Sequence, residues 1–295
     1  MVADIGMLAP WLKAQWERGC EPGALMQAML DSGWSLDDAS RALLAAGLGV
    51  DGASQPPRLD PHPLRAHGSL DVGERLVSPG PSLFDTPQAE VWVGDRHVKV
   101  LMTMAQPRMA LVAGLLDEVE CAALIDAARS RLHRSQTVSA QTGNLAEVNV
   151  ARTSEGMFFA PAEIELVGQL ESRIATLLDW PVDQAEGLQV LRYAPGAEYR
   201  PHFDHFDARS AGGQLALQRG GQRVGTLVIY LAAPEEGGAT QFPDLGLAVQ
   251  PQVGHAIFFG YDIAGGDPGV LHEGAPVVRG EKWVATKWLR EKKFS

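Results

Sequence analysis

The feature that most limits the fold is a series of short apolar runs, separated by turn residues, which fills the chain from Gly187 onward. Each run has the length and composition of a β-strand rather than a helix. We expect strands at Leu188–Tyr193, Tyr199–Phe203, Gly225–Leu231, Gly238–Phe242, Leu247–Val249, His255–Phe259, Leu271–Glu273 and Glu281–Leu289. Helical periodicity occurs only before them, at Asp117–Leu132 and Ala162–Leu178 among others. This order predicts a mainly β domain of the α+β class, in which a double-sheet barrel is backed by helices.

The residues that precede this series add a hairpin and two further strands. Val91–Met104 alternates around a Gly-Asp turn, and Met109–Leu116 and Val150–Phe159 are strand-like. Two polar, glycine-bearing segments, Ser135–Asn149 and Ala208–Gln222, interrupt the pattern. Because both adjoin strands that should line a site, we interpret them as loops that close over it.

The N-terminal part of the chain has a different pattern, which predicts a separate small module. Apolar residues recur at helical spacing across residues 1–48, in runs divided by glycines. The runs are Leu8–Arg18, Pro22–Asp31 and Leu36–Leu48. Residues 49–90 lack periodicity and contain repeated prolines among polar residues, which predicts a linker. We therefore expect a helical module that docks on the main domain or binds a protein partner, a Pro-rich linker, and a main domain over residues 91–295.

The composition argues against several classes of partner. The formal net charge is −11 over 295 residues, whereas nucleic acid or an anionic membrane surface would favour a basic patch. No stretch is long and apolar enough for a membrane span, and the N-terminus lacks the pattern of a signal peptide, so a cytoplasmic location is the expectation. The two cysteines, Cys20 and Cys121, lie far apart in sequence and are expected to be buried free thiols.

A short motif near the second predicted strand indicates a metal site. His202 and Asp204 are two positions apart in a strand-like run, and alternate residues of a strand share a face. His272 is the best-placed third ligand. Two histidines and one carboxylate on one face are the ligand set of non-heme Fe(II) oxygenases. His205 and Asp207 repeat the spacing directly, and we interpret them as neighbouring or loop residues.

The surroundings of this motif form an ordered series that extends almost to the C-terminus. The series is Arg152-Thr153-Ser154-x-Gly156-x-Phe158, Tyr193-x-x-Gly196-x-x-Tyr199-x-x-His202-x-Asp204, Arg223-x-x-Thr226-x-x-x-Tyr230-Leu231, Gly237-Gly238-x-Thr240-x-Phe242-Pro243, Gly254-x-Ala256-x-x-Phe259, and His272-x-Gly274-x-Pro276-Val277-x-x-Gly280-x-Lys282-Trp283-x-x-x-x-Trp288. It resembles the prolyl 4-hydroxylases of the Fe(II)/2-oxoglutarate dioxygenase superfamily. The likeness runs from about Met109 to the end of the chain and does not cover residues 1–90.

The resemblance implies a double-stranded β-helix, or jelly-roll, catalytic core and assigns roles to individual residues. The implied iron ligands are His202, Asp204 and His272. The implied cosubstrate residues are Lys282, which pairs with the distal carboxylate of 2-oxoglutarate, and Tyr193, Thr226 and Tyr230. The implied residues of the substrate mouth are Arg223, Trp288 and Tyr199. A buried lysine for the distal carboxylate is physically reasonable, because a dicarboxylate entering an apolar barrel needs its remote charge matched.

The implied reaction consumes 2-oxoglutarate and O2, releases succinate and CO2, and hydroxylates a prolyl residue of a peptide or protein, with ascorbate as a possible reductant. No side chain need act as a general base. Three alternatives remain open at this point. The same chemistry could act on free proline, another amino acid or a small metabolite; the barrel could be a non-catalytic binding module; or the fold could be a bicupin or other metal-binding jelly roll.

Overall fold

The structure is a computed structural model that describes residues 81–85, 88–135, 152–261 and 269–295, together with Leu25, Ala39, Arg41–Leu43 and Ala46. The chain divides into two units, Met1–Val72 and Gly73–Ser295. In the first unit, Leu25, Ala39, Ala42 and Leu43 are helical and buried. The rest of the predicted helical module and nearly all of the predicted linker lie outside the described residues, so those boundaries stay predictions.

Four α-helices occur among the described residues of the second unit: α1 (Pro81–Phe84), α2 (Glu118–Arg129), α3 (Glu165–Leu178) and α4 (Ala211–Gln218). The start of α2 is fixed by a capping box, in which the Asp117 carboxylate accepts from the Glu120 N–H and the Glu120 carboxylate accepts from the Asp117 N–H. The apolar faces of α2 and α3 pack on the large sheet. No helix in the described ranges is long and apolar enough to cross a bilayer.

The strands of the second unit form two main sheets and a small one. The strands are β1 (Glu90–Val93), β2 (Arg96–Met104), β3 (Met109–Ala113), β4 (His133–Arg134), β5 (Glu155–Phe159), β6 (Leu188–Tyr193), β7 (Tyr199–His202), β8 (Arg223–Ala232), β9 (Glu236–Gly237), β10 (Thr240–Phe242), β11 (Leu247–Val249), β12 (Ala256–Gly260), β13 (His272–Gly274), β14 (Val277–Arg279) and β15 (Lys282–Arg290). The large sheet has the order β1-β2-β3-β12-β8-β15-β6-β5-β4, and the second sheet has the order β11-β10-β13-β7. β9 and β14 pair with each other.

The second unit has two apolar cores, and the strands of the large sheet separate them. One core lies between this sheet and the helices and includes Leu124, Leu170 and Ile229. The other draws on both main sheets and includes Tyr230 and Phe242. Because β15 is central and covered on both faces, all nine of its residues are buried. The functional side chains described below lie in the core between the two sheets.

The predicted fold class is confirmed: the domain is mainly β, with two packed sheets and helices on the outside. All eight strands predicted after Gly187 are present, and β9 and β14 are additional short strands. The prediction for Ala208–Gln222 was wrong in one respect, because α4 lies within this segment. Ser210 caps that helix by accepting from the Gly213 N–H at 3.0 Å, a role that outweighs the low helix propensity of the adjacent glycines. Most of the other predicted loop lies outside the described residues.

Candidate active site

The second sheet brings together the three residues predicted to bind metal. His202 ends β7 and His272 begins β13, and the two are paired directly across these antiparallel strands. Nε2 of His202 lies 3.6 Å from Oδ1 of Asp204, and Nε2 of His272 lies 3.6 Å from Oδ2. One potential ligand atom from each residue falls within 4.8 Å of the others. Among the described residues, these three side chains form a group that could hold a metal ion.

Both imidazoles are oriented by backbone carbonyls. Nδ1 of His202 lies 2.8 Å from the carbonyl oxygen of Arg200, and Nδ1 of His272 lies 3.0 Å from that of Val270. Because a carbonyl can only accept, each Nδ1 donates to it, and each Nε2 is the ring nitrogen that faces Asp204 and could bind a metal. Burial also lowers the pKa of His272 to about 4, which keeps this ring neutral near pH 7.

Asp204 is buried, ionised and held in place by two donors. Burial opposes its ionisation, but His272 and His202 outweigh this effect and hold the pKa of the carboxyl well below its usual range. Oδ2 accepts from the Thr226 hydroxyl at 2.8 Å and from Trp288 Nε1 at 2.9 Å. Oδ1 is left for a metal. Two imidazoles oriented through their Nδ1 atoms and one oriented carboxylate therefore fit a divalent transition metal.

Lys282 is a buried cation at the other end of the same cavity. It is 3% exposed, and its Nζ lies 5.5 Å from the ring centroid of Tyr193 and 5.8 Å from that of Tyr230. Burial alone lowers the pKa of Lys282 to about 7, because no carboxylate of the described residues pairs with it. Lys282 lines the cavity together with Thr240 and with the three candidate ligands. A site of this kind suits an anion that enters from outside and supplies the missing charge.

Tyr199 and Arg152 form one wall of the cavity beside His202. The Tyr199 ring stacks on the His202 ring at a centroid distance of 3.5 Å, and the Arg152 guanidinium lies 4.8 Å from the centroid of Tyr199. Arg152 is buried and donates to the Ser154 hydroxyl and to the Gln189 side-chain oxygen. Burial raises the pKa of Tyr199 to about 12, so its hydroxyl stays protonated at neutral pH.

Arg223 and Trp288 adjoin Asp204 on another side. Trp288 lines the cavity, whereas Arg223 is not among its lining residues. The Arg223 guanidinium lies 4.0 Å from the centroid of the Trp288 ring and donates to both carboxylate oxygens of Glu186, at 2.7 and 2.9 Å. Its remaining Nη1 donates to the backbone oxygen of Asp204 at 3.2 Å. The Arg223 guanidinium therefore packs on Trp288 and binds the backbone of Asp204, although Arg223 does not itself line the cavity.

The predicted cosubstrate residues have different environments. Tyr193 and Lys282 line the cavity, whereas Thr226 contacts Asp204 and the Tyr261 hydroxyl, at 2.8 and 2.6 Å. Tyr230 turns its ring toward Lys282 and donates its hydroxyl to Thr240 at 2.9 Å.

Sequence reasoning missed Arg152, Thr240, Tyr261 and Glu186 as parts of the site. A signal for Arg152 and Thr240 was present, because both stand in the motif series, at Arg152-Thr153-Ser154 and Gly237-Gly238-x-Thr240. Tyr261 and Glu186 had no such signal. Their contacts with Thr226 and Arg223 join residues that are distant in sequence.

Comparison with known proteins identifies the family. Residues 188–290 match the 2OG-Fe(II) oxygenase superfamily. Prolyl 4-hydroxylase 2 of Arabidopsis thaliana is 34% identical over 220 residues, which cover 66% of this chain and 71% of that protein. Prolyl 4-hydroxylase 1 of the same plant is 36% identical over 230 residues, covering 69% of this chain and 79% of that protein. The chain belongs to the prolyl 4-hydroxylase family.

Among solved structures, the viral collagen prolyl hydroxylase of Paramecium Bursaria Chlorella virus-1, in complex with 2OG, aligns with 62% of this chain and 95% of that chain, at 31% identity and a TM-score of 0.48. The family resemblance inferred from the sequence is confirmed by the curated relatives. As a member of the prolyl 4-hydroxylase family, the protein is a dioxygenase that uses Fe(II) and 2-oxoglutarate. The two oriented imidazoles, the ionised carboxylate and the unpaired lysine fit these two groups.

Proposed function

We propose that the protein hydroxylates a prolyl residue, at the 4-position, in a peptide or protein. One observation carries this proposal: a cavity lined by His202, Asp204 and His272 also contains an unpaired buried lysine, in a chain 34% identical to a named prolyl 4-hydroxylase.

In this proposal the residues of the site bind the metal and the cosubstrate, orient the metal ligands and exclude water. His202, Asp204 and His272 would hold Fe(II), and Lys282 would bind the distal carboxylate of 2-oxoglutarate. When bound, these two groups supply the activation of O2 that hydroxylates an unactivated C–H bond. Thr226 and Trp288 fix the Asp204 carboxylate. Tyr199 and Trp288 give the cavity aromatic walls that can pack on a proline ring and keep bulk water out.

The test is direct. The purified protein would be incubated with Fe(II), 2-oxoglutarate and a panel of proline-containing peptides, and both succinate and a +16 Da peptide product would be measured. We expect both products in the wild type and neither in His202→Ala. Succinate formed only with free proline, another amino acid or a small metabolite would contradict the peptide substrate and leave the oxygenase chemistry intact. Absence of turnover across the whole panel would contradict the proposal.

Three further expectations stay predictions: ascorbate as a reductant, a protein partner for the N-terminal module, and a cytoplasmic location.

A further inference from the structure

A buried cluster of two arginines and one glutamate connects α4 to the active site. Glu186 accepts from Arg223, as described above, and its Oε1 also accepts from Arg290 Nη1 at 2.8 Å. The second terminal nitrogen of Arg290 donates to the carbonyl oxygen of Ala216, in α4, at 2.6 Å. We propose that Arg290 is a positioning residue, which holds the α4 segment (residues 205–222) beside Arg223 and thereby supports the Trp288 wall of the active site. This inference rests on the proposed function.

The α4 segment reaches the metal-ligand candidates through a short series of contacts. The segment begins next to Asp204 and ends at β8, the strand that carries Thr226. Its Phe206 ring lies 4.7 Å from the Arg223 guanidinium and 4.9 Å from that of Arg290. Arg223 in turn stacks on Trp288, which donates to Asp204. A displacement of Arg290 would therefore change the support of Trp288, which lines the cavity.

Apart from the Arg290 contact, the hydrogen bonds that join the α4 segment to other elements lie near its C-terminal end, where the Gly220 carbonyl accepts from the Lys292 N–H and the Arg219 carbonyl accepts from the Ser295 N–H. The two ends of the segment are joined, since the Gln222 side chain accepts from the Phe206 N–H and donates to the Phe206 carbonyl, both at 2.8 Å. The helix itself is only eight residues long and leaves Leu215 49% exposed, so it buries little apolar surface. The Ala216 carbonyl lies in the last turn of the helix, where it accepts from the Arg219 N–H at 3.3 Å and from Arg290. The Arg290 guanidinium therefore supplies a second and shorter hydrogen bond and places a cation at the negative end of the helix.

The chemistry of the cluster explains why an arginine suits this place. The Arg290 side chain is 2% exposed, and its pairing with Glu186 offsets part of the cost of burying its charge. A planar guanidinium can donate to two acceptors on separate elements at once, here Glu186 and Ala216. A lysine ammonium is a point charge on a flexible stem and would reach both acceptors less well. The role therefore predicts a graded response to substitution.

The experiment compares Arg290→Met and Arg290→Lys with a matched control, Lys287→Met. Lys287 lies on the same strand and is also a buried cation, but it pairs with Glu171 of α3. In Arg290→Met we expect the KM for the peptide to rise about tenfold, the usual effect of losing a hydrogen bond to a charged group, while kcat and the KM for 2-oxoglutarate change less than about twofold. Arg290→Lys should fall between Arg290→Met and the wild type. Lys287→Met should leave the peptide KM unchanged.

Hydrogen exchange supplies a second measurement that needs no substrate. Amides of the α4 segment should exchange faster in Arg290→Met than in the wild type, and at the wild-type rate in Lys287→Met. Where Arg290→Met fails to fold, Arg290→Lys and Ser210→Ala carry the test. Ser210→Ala removes the N-cap of α4 without touching the cluster and should raise both the exchange rate and the peptide KM.

Unchanged exchange and an unchanged peptide KM in the Arg290 variants would overturn the positioning role, as would equal changes in Lys287→Met. If the wild type hydroxylates no peptide, the proposed function fails, and the exchange rates still decide whether Arg290 holds the segment.

Discussion

Two buried lysines on β15 differ in whether a carboxylate pairs with them. Lys282 and Lys287 are five positions apart, an odd spacing that places them on opposite faces of the strand. Both are almost fully buried, at 3% and 2% exposure. Lys287 faces α3, where its Nζ lies 2.5 Å from Oε1 of Glu171. Lys282 faces the cavity between the sheets, where the described residues offer it two tyrosine rings and no carboxylate.

The difference distinguishes Lys287, whose charge is paired within the fold, from Lys282, whose charge is left unpaired for a ligand. Burial lowers the pKa of both lysines, and for Lys287 the bond to Glu171 opposes the shift. Nothing opposes it for Lys282, whose pKa falls to about 7. An unpaired buried charge destabilises a fold, so its presence needs another cause. In the proposed function that cause is the dicarboxylate cosubstrate, which Lys282 would bind.

The largest effect should follow removal of the Lys282 charge. Lys282→Met deletes the cation that would pair with the distal carboxylate, and we expect 2-oxoglutarate affinity to fall about 1000-fold, or about 4 kcal/mol, as for a buried charged hydrogen bond. The free energy of unfolding of the ligand-free protein should stay the same or increase, because an apolar side chain replaces an unpaired buried charge. Calorimetric titration with 2-oxoglutarate and urea unfolding measure the two quantities. Wild-type affinity in Lys282→Met would show that another group binds the carboxylate.

Lys287→Met should have the opposite pattern. It leaves the Glu171 carboxylate buried without its cation, and we expect the free energy of unfolding to fall by about 3 kcal/mol. The affinity for 2-oxoglutarate should not change. The double variant Lys287→Met, Glu171→Leu removes both charges and should recover most of the stability. If the single variant lost 2-oxoglutarate affinity as well, the distinction between the two lysines would not hold.

The pH dependence of 2-oxoglutarate binding sharpens the comparison further. The pKa of Lys282 lies at about 7, below its ordinary value of 10.5, so above pH 7 the folded protein has lost a proton that the unfolded chain keeps. This group therefore makes the ligand-free protein more stable as pH rises from 7 toward 10.5. Binding a dianion favours the ammonium form. Between pH 7.5 and 9 we expect affinity to fall by up to about tenfold per pH unit, with uptake of about one proton.

Calorimetry in buffers of different ionisation enthalpy would measure that proton uptake, under anaerobic conditions with Fe(II). Lys282→Met is the control, because its weaker binding should not depend on pH in this range. A wild-type affinity that stays constant from pH 7.5 to 9 would mean that Lys282 is already fully charged without the ligand.

The contrast between the two lysines also shows how far the sequence can be interpreted. Lys282 could be found because it stands ten residues after His272 in an ordered motif series, and His202 and Asp204 because strand alternation places them on one face. Strand positions were predictable for a similar reason, since each depends on a few adjacent residues. Lys287 carries no such signal. Its partner, Glu171, lies on a helix 116 positions earlier, and only the packing of α3 on the sheet joins them.

The α4 segment shows the same limit at the level of secondary structure. Its glycines favoured a loop, whereas the Ser210 cap and the distant Arg290 donor, 74 positions away from Ala216, stabilise a helix there. Local helix propensity depends on neighbouring residues, so it cannot predict a hydrogen-bond donor that lies near the end of the chain.

The smallest effect concerns the environment of Lys282 rather than its charge. Tyr230→Phe keeps the ring that lies 5.8 Å from Nζ but removes the hydroxyl that donates to Thr240. If Tyr230 acts on the Lys282 ammonium through its ring face, 2-oxoglutarate affinity should change less than about threefold in Tyr230→Phe. The free energy of unfolding should fall by about 1 kcal/mol, the value of one buried hydrogen bond. Titration and urea unfolding again measure both. A loss of affinity above about 30-fold would instead show that the hydroxyl itself binds the cosubstrate, because a hydrogen bond to a charged group contributes that much. Tyr230 would then belong with Lys282 as a direct ligand of the carboxylate, and the lysine would not be the sole donor to it.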